Sequence, residues 1–207
     1  MSGRFKLLVV GVGGQGVLLV ARCAGEAAMQ QGQEVMVGQL HGMSQRGGSV
    51  NSTVLIGEGH SSFIGPGEAD VVLGLEPLEA WRALPMMGPQ TVVLMNLGQV
   101  VPFTLVQRGL EYPDLDGIRA QIREVARELH ELDGNSLLPT DGDVRNLNIL
   151  MLGALAGLGL LPLTVEEIWR AVEARSPSRF LEPNRQAFQA GERAAGELAL
   201  RGREVSS

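Results

Sequence analysis

Two glycine-bearing stretches hold the residues best suited to chemistry. The first, Gly11-Val12-Gly13-Gly14-Gln15-Gly16, has GxGxxG spacing directly after an apolar run and before a helical one. In that context the backbone N–H groups of the turn and of the helix start can cradle an anion, usually a phosphate. A tight packing turn with no ligand is the alternative. The second stretch is HGMSQRGGSVNSTVLIG, residues 41–57, where Arg46 stands beside Gly47 and Gly48. A guanidinium is a planar, permanently charged fork that matches phosphate or carboxylate, and glycine lets the backbone come close to a ligand. His41 can donate or accept a proton nearby, although a histidine with no partner visible in sequence is more often a hydrogen-bonded structural residue. In a Rossmann-like arrangement both stretches leave the carboxyl ends of parallel strands, so they are expected to converge on one edge of the sheet.

What is missing narrows the chemistry. A nicotinamide dehydrogenase places an acidic residue near the end of its second strand to hold the adenosine ribose, and Val35 to Leu40 (VMVGQL) offers Gln39 there. The sequence has no CxxC for an iron–sulfur cluster, no Walker lysine after the glycines and no nucleophile elbow. Asp141-Gly142-Asp143 with Asn146 and Asn148 is only superficially like a thiamine diphosphate and magnesium motif, because the order and spacing differ. His41, His60 and His130 are too scattered to suggest a metal site. Cys23 stands alone, so this chain by itself assembles neither a disulfide nor a thiolate cluster, and a reducing cytoplasm fits. Alone, the chain reads as chemically incomplete.

Composition excludes other classes. Seventeen basic against 23 acidic residues give a net charge of −6 with no basic cluster to offset it, which argues against nucleic acid as the main partner. The N-terminal apolar run is short and ends in glycines, so it reads as a first strand and not a signal peptide. The later apolar run, Ile149 to Leu161, is shorter than the roughly 20 residues a membrane helix needs. A soluble protein without a membrane partner is expected.

The elements that must position these residues can be read from periodicity. Lys6 to Val10 is a buried strand, Gln15 to Gln31 a helix and Glu34 to Val37 a second strand, a βαβ opening that implies a parallel sheet. Val50 to Ile56 alternates and, with His60 to Ile64, predicts an inserted hairpin. Ala69 to Leu75 and Thr91 to Asn96 read as buried strands, with a helix from Pro77 to about Leu84 between them. Asp116 is expected to cap a helix carrying Ile118, Ile122, Val125, Leu129 and Leu132, stopped by Gly134, with Arg119, Arg123 and Arg127 on a solvated mixed-charge face. Ser136 to Leu138 reads as a short last strand. Three helices should follow: one from Asp143 to about Leu158 with small residues in GALAG for close packing, one opened by a Thr164–Glu167 capping box, and one from Glu182-Pro183 to about Leu200. The fold class is therefore α/β: a Rossmann-like, mostly parallel sheet with helices on both faces, an inserted β-hairpin and C-terminal helices. A single domain over residues 1–207 is expected, with the α/β core at about 5–140 and the C-terminal helices at about 143–200.

GVGGQGVLLVARCAGEAA followed by HGMSQRGGSVNSTVLIG resembles the gamma-type domain of the 2-oxoacid:acceptor (ferredoxin) oxidoreductases. With the GALAGLGLLPL helix and the AFxAG run of Ala187 to Gly191, the resemblance is strongest to the beta-subunit branch acting on indolepyruvate, and it covers about residues 5 to 195. It implies a division of labour. A large alpha-type partner would carry thiamine diphosphate, magnesium and iron–sulfur clusters, decarboxylate the aryl 2-oxoacid and pass electrons to ferredoxin, while coenzyme A takes the acyl group. This chain would hold none of those cofactors, complete the site and help bind coenzyme A. Carried over by position, Gly13, Gly14, Gln15 and Gly16 would approach coenzyme A with Gln45, Arg46 and Gly47 beside it, and Asn146 and Asn148 would lie near the partner. The same role in a pyruvate, 2-oxoglutarate or branched-chain 2-oxoacid enzyme, or a non-catalytic docking module, are the alternatives.

Overall fold

Apolar side chains at successive positions from Leu7 to Val10 can be buried only if a strand is covered on both faces, and that is where Phe5–Val12 (β1) lies. A computed structural model describes residues 4–41, 48–59, 61–101, 105, 107, 109–138 and 146–205. After β1 come α1 (Val17–Gln30), β2 (Val35–His41), β3 (Ser49–Ile56), β4 (Val71–Gly74), α2 (Pro77–Arg82) and β5 (Val92–Asn96). The chain continues with α3 (Leu115–Val125), β6 (Glu128–Leu132), a short α4 (Gly134–Leu137), α5 (Leu147–Gly157), α6 (Val165–Arg175) and α7 (Ser178–Val205). The strands form one six-stranded sheet in the order β2-β3-β1-β4-β5-β6. β1, β4, β5 and β6 are mutually parallel, while β3 runs antiparallel to both β1 and β2, so β2 shares the direction of β1.

The βαβ opening is present in direction but not in adjacency, because β3 fills the slot between β1 and β2. Its pairings, Val9 with Ser52 and Val37 with Val54, satisfy both edges of β3. The expected hairpin of Val50 to Ile56 with His60 to Ile64 is therefore corrected: the partner of β3 is β2. Gly57 and Gly59, at φ +107° and +156°, end the extended run. Residues 61–64 form no strand, and the Ser62 carbonyl instead accepts from Thr53 Oγ1 at 2.7 Å. His60 lies outside the described residues.

Alternation divides the core into two layers. Leu7, Val9, Val54 and Leu73 face α1, α5, α6 and α7, whereas Leu8, Val10, Val72 and Val93 face α2 and α3. Helices thus cover both faces, as expected. α5 is buried from Leu147 to Ala156 and sits in the middle of the first layer. A Cβ on Gly153 would overlap the Phe188 carbonyl, and one on Gly191 would overlap the Leu150 carbonyl, so α5 and α7 cross in backbone contact. That is the close approach GALAG implies.

Four other expectations are corrected. α3 ends at Val125 and is capped by Asp114, whose side chain accepts from Gly117 N at 3.0 Å, not by Asp116. Residues 128–132 are a strand, because the Arg127 N–H bonds the Thr91 carbonyl at 2.9 Å and starts a parallel ladder with β5. Leu129 and Leu132 are three apart, which fits one helix face but equally puts them on opposite faces of a strand, and they enter opposite layers. Gly134 opens a helical turn capped by Asp133 instead of stopping a helix, and that turn replaces the expected strand at 136–138. α7 begins at Ser178, ahead of Glu182-Pro183; the Phe180 N–H bonds the Pro177 carbonyl at 2.8 Å, and Pro183 is taken inside the helix. The start of α5 is seen from its cap Asn146; Asp143 lies outside the described residues.

The capping box of α6 forms as expected, with Glu167 N to Thr164 Oγ1 at 3.3 Å and Thr164 N to Glu167 Oε2 at 2.8 Å. Arg119 bonds Glu131 at 2.5 Å and Asp116 at 2.8 Å, and Arg123 bonds Glu131 at 2.8 Å, so the expected mixed-charge face joins α3 to β6, and Arg127 lies beyond the end of α3. Among the described residues no helix is long and apolar enough to cross a membrane.

Candidate functional site

The carboxyl ends of β1, β4 and β5 are where the sequence places its glycines, an asparagine and a glutamate, and these build one surface. After Val12 the chain turns through Gly13, Gly14 at φ +106° and Gly16 at φ +82°, conformations glycine takes without strain. The Gln15 N–H closes the turn on the Val12 carbonyl at 3.0 Å. Gly14 is exposed with open space around it. Gly16 caps α1 without a side-chain bond, and no acidic residue lies in the first turn of α1. The N–H groups and positive dipole end of a fourteen-residue helix are thus uncapped by side chains and face the edge of the sheet, the arrangement that suits an anion.

Gln15 plays a part that spacing does not reveal. Its Oε1 accepts from Val12 N at 2.7 Å and its Nε2 donates to the Leu75 carbonyl at 3.1 Å, so the side chain is turned into the sheet. A ligand at this turn meets Gln15 through its backbone. Gly11 makes room for this: a Cβ there would stand 2.9 Å from Gln15 Oε1. Gly16 makes room for a different residue, Asn148, whose amide nitrogen occupies the place of a Cβ. Asn148, buried in the first turn of α5, therefore reaches the glycine turn, and buried Asn146 caps the same helix.

The second stretch comes to the same edge. Gly13 N donates to the Gly48 carbonyl at 2.8 Å, and the registers Val12 with Ser49 and His41 with Val50 bring the ends of β1, β2 and β3 level. Convergence of the two stretches is thereby seen at Gly48. Gln45, Arg46 and Gly47 lie outside the described residues, as does the side chain of His41. No contact between them and the turn is described.

A buried polar layer beneath this surface involves residues that sequence reasoning missed. Asn96 ends β5, donates to the Leu75 carbonyl at 3.1 Å and accepts from Gly134 N at 3.0 Å. Leu75 thus receives both Gln15 and Asn96, which ties the ends of β1, β4 and β5 and the start of α4 into one network. Next to it Glu76 is fully buried and accepts from Tyr112 OH, from Glu79 N at 2.9 Å and from Val100 N at 3.4 Å. Burial pushes the Glu76 carboxyl up, against the lowering effect of those bonds, and burial together with Glu76 pushes the Tyr112 phenol up. The signal was present in Glu76-Pro77, a polar cap before a proline at the first helical position, and in an asparagine closing an apolar strand.

Among the described residues no group of three histidine, cysteine or acidic side chains is placed to hold a metal ion. The uncapped start of α1 suits an anion. The single cysteine, Cys23, is buried.

Comparison with known proteins shows the family. The family model for pyruvate ferredoxin/flavodoxin oxidoreductase matches residues 6–194. The chain is similar to indolepyruvate oxidoreductase subunit IorB of Methanothermobacter thermautotrophicus, 40% identical over 193 residues that cover 93% of this chain and 98% of the relative. Its likeness to IorB of Archaeoglobus fulgidus is 33% over 91% of this chain and 94% of the relative. A keto/oxoacid ferredoxin oxidoreductase gamma subunit from Geobacter sulfurreducens superposes with a TM-score of 0.66 at 26% identity, covering 92% of this chain and 98% of that one. The fold also matches 32% of a chain of the 2-oxoglutarate:ferredoxin oxidoreductase from Magnetococcus marinus, over 96% of this chain, with a TM-score of 0.73 at 18% identity. With a family match over nearly its whole length and relatives aligned almost end to end, this chain belongs to the pyruvate ferredoxin/flavodoxin oxidoreductase family.

Proposed function

We propose that this chain is the gamma-type subunit of a ferredoxin-dependent oxidoreductase that converts an aryl 2-oxoacid, indolepyruvate, and coenzyme A to the arylacetyl-CoA and carbon dioxide. In this reading residues 1–207 form one domain that works in the cytoplasm, in complex with a large alpha-type subunit. The observation that carries the reading is the end-to-end alignment at 40% identity with a relative named as an indolepyruvate oxidoreductase subunit.

The donor set supports the division of labour. An iron–sulfur cluster needs several thiolates, and the only cysteine in the sequence is buried. In this reading the clusters, and with them thiamine diphosphate and magnesium, are held by the partner, where they would supply decarboxylation and electron transfer to ferredoxin. The contribution of this chain is to bind and orient coenzyme A. The open turn at Gly13, Gly14 and Gly16 with the uncapped start of α1 suits a phosphate, and Gln15 fixes the shape of that turn. Arg46, between Gln45 and Gly47 on the neighbouring stretch, would add the charged fork, and His41 stands at its start as a proton donor or acceptor.

Replacing Arg46 with Ala in the assembled enzyme tests this. Loss of a charge-assisted contact of roughly 1.5–3 kcal/mol raises the coenzyme A requirement on the order of 10- to 100-fold and leaves 2-oxoacid decarboxylation intact. An unchanged coenzyme A requirement removes Arg46 from the site.

A second reading, docking without coenzyme binding, draws on exposed Val100, Val101 and Leu110 near the same edge. It predicts protection of this edge on assembly and no further protection on adding coenzyme A. A change of oxoacid is a variant of the first reading: the 2-oxoglutarate synthase subunit KorC of Archaeoglobus fulgidus is 27% identical over 92% of this chain.

A further inference from the structure

A cavity of about 460 Å³ lies behind the glycine turn, between α1, the start of α5, the end of α6 and the start of α7. That is within the roughly 300–1,000 Å³ typical of small-molecule sites. Its walls are mostly hydrocarbon: Leu19 and Cys23, one turn apart on α1, with Val172 and Phe180, while Ser176 and Asn184 in the lining bond each other at 2.8 Å. Burial pushes the Cys23 thiol up to about 12, so this wall is uncharged at neutral pH.

One end of the cavity is polar. The N-terminus of α5, an eleven-residue helix, opens there, with no acidic residue in its first turn and no side-chain cap bond from its N-cap, Asn146. Asn146 is 8% exposed, yet among the described residues its side-chain amide takes no hydrogen-bond partner. That amide opens on the cavity, where it is free to pair with a ligand atom. The Oδ1 of the neighbouring Asn148 is already taken by Ile149 N at 2.8 Å. Two guanidiniums complete the lining: Arg175 is spent on an ion pair with Glu26, while Arg179 lies 4.6 Å above the centre of the Phe180 ring.

Hydrocarbon walls select an apolar body. A helix N-terminus and an amide select an anionic head at that end, the exposed Arg179 over Phe180 adds positive charge to the same cavity, and Glu26 on Arg175 disfavours a more highly charged ligand. We propose that this cavity binds a small carboxylic acid with an apolar body, its carboxylate at the start of α5 and its hydrocarbon against Leu19 and Phe180. The cavity adjoins the turn assigned to coenzyme A through Asn148, but its apolar walls lie apart from that turn and the inference does not depend on that assignment. An arylacetate and a medium-chain fatty acid share the required chemistry.

Calorimetric titration of the purified chain with indole-3-acetate and with octanoate tests the inference. Saturable one-to-one binding is expected for at least one of them. The better ligand identifies the source, aryl or alkyl. The uncharged indole-3-acetamide is expected to bind at least tenfold more weakly than indole-3-acetate if the aryl acid is the ligand, and octanamide more weakly than octanoate if it is the alkyl acid. Arg179→Ala should weaken the acid at least tenfold, and Leu19→Trp, a change at a partly exposed residue, should abolish binding by filling the cavity. Absence of saturable binding by either acid overturns the proposal. So does binding that survives both substitutions unchanged, or an amide that binds as tightly as its acid.

Discussion

The Asn148 side chain occupies the space that a Cβ on Gly16 would take, so the glycine turn and the start of α5 fit together only because residue 16 has no side chain. This joins the two halves of the chain: the turn that caps α1 rests on a helix whose residues lie some 130 positions later in the sequence.

Gly16→Ala should therefore cost roughly 2–4 kcal/mol, combining left-handed backbone strain with overpacking against a buried amide. Gly14→Ala, with the same sign of φ but open space, should cost only the backbone share, about 1–2 kcal/mol. Chemical denaturation measures both. Adding Asn148→Ala to Gly16→Ala should recover part of the larger loss, and equal losses at positions 14 and 16 would refute the steric account.

The crossing of α5 and α7 makes a stronger demand. A side chain on Gly191 collides with the Leu150 carbonyl and Ala154 N, which are backbone and cannot rotate away. Gly191→Val is expected to give a chain that fails to fold, read as loss of a cooperative thermal transition. Gly196→Val on the same helix has open space and should melt close to wild type.

Tyr112→Phe removes the donor to buried Glu76 and the acceptor of Leu78 N at 3.0 Å. The expected loss at pH 7 is about 1.5–3 kcal/mol. Burial has raised the Glu76 carboxyl above its unfolded value, so its contribution is full below the ordinary carboxylate range and falls as pH rises through the folded value. Losing Tyr112 raises that value further. The variant should therefore lose less at pH 4 than at pH 7; a deficit independent of pH would contradict the coupling.

Cys23 gives a second pH dependence. Its thiol is pushed by burial from near 9 to about 12, so the folded chain keeps a proton that the unfolded chain gives up in between. Stability from this group is complete below about pH 9 and is lost above it at about 1.4 kcal/mol per pH unit. Denaturation at pH 8 and pH 10.5 should show Cys23→Ala losing about 2 kcal/mol less than wild type over that interval. Parallel losses would place the thiol near its ordinary value.

Much of this was legible in the residues themselves. The strand, turn and helix around Gly11 to Gly16 follow from a buried run ending in glycines, and the Thr164–Glu167 box and the GALAG crossing follow from local rules. The pairing of β3 was not, because an alternating strand fits any edge with matching register, and only the open slot beside β1 decides which. The strand at 128–132 was hidden by Leu129 and Leu132, whose spacing serves helix and strand alike. The network of Gln15, Leu75, Asn96 and Gly134 could not be read at all, since its members meet only when the sheet is assembled.

In the proposed function this chain acts only through a larger partner. A tagged copy purified from its native cell, then assayed with indolepyruvate, coenzyme A and ferredoxin, tests this most directly. It is predicted to bring down a large subunit carrying thiamine diphosphate and iron–sulfur clusters, and the complex should reduce ferredoxin only when coenzyme A is present, while the isolated chain does nothing. Turnover of a 2-oxoacid by the isolated chain, or undiminished ferredoxin reduction by the complex without coenzyme A, would contradict it.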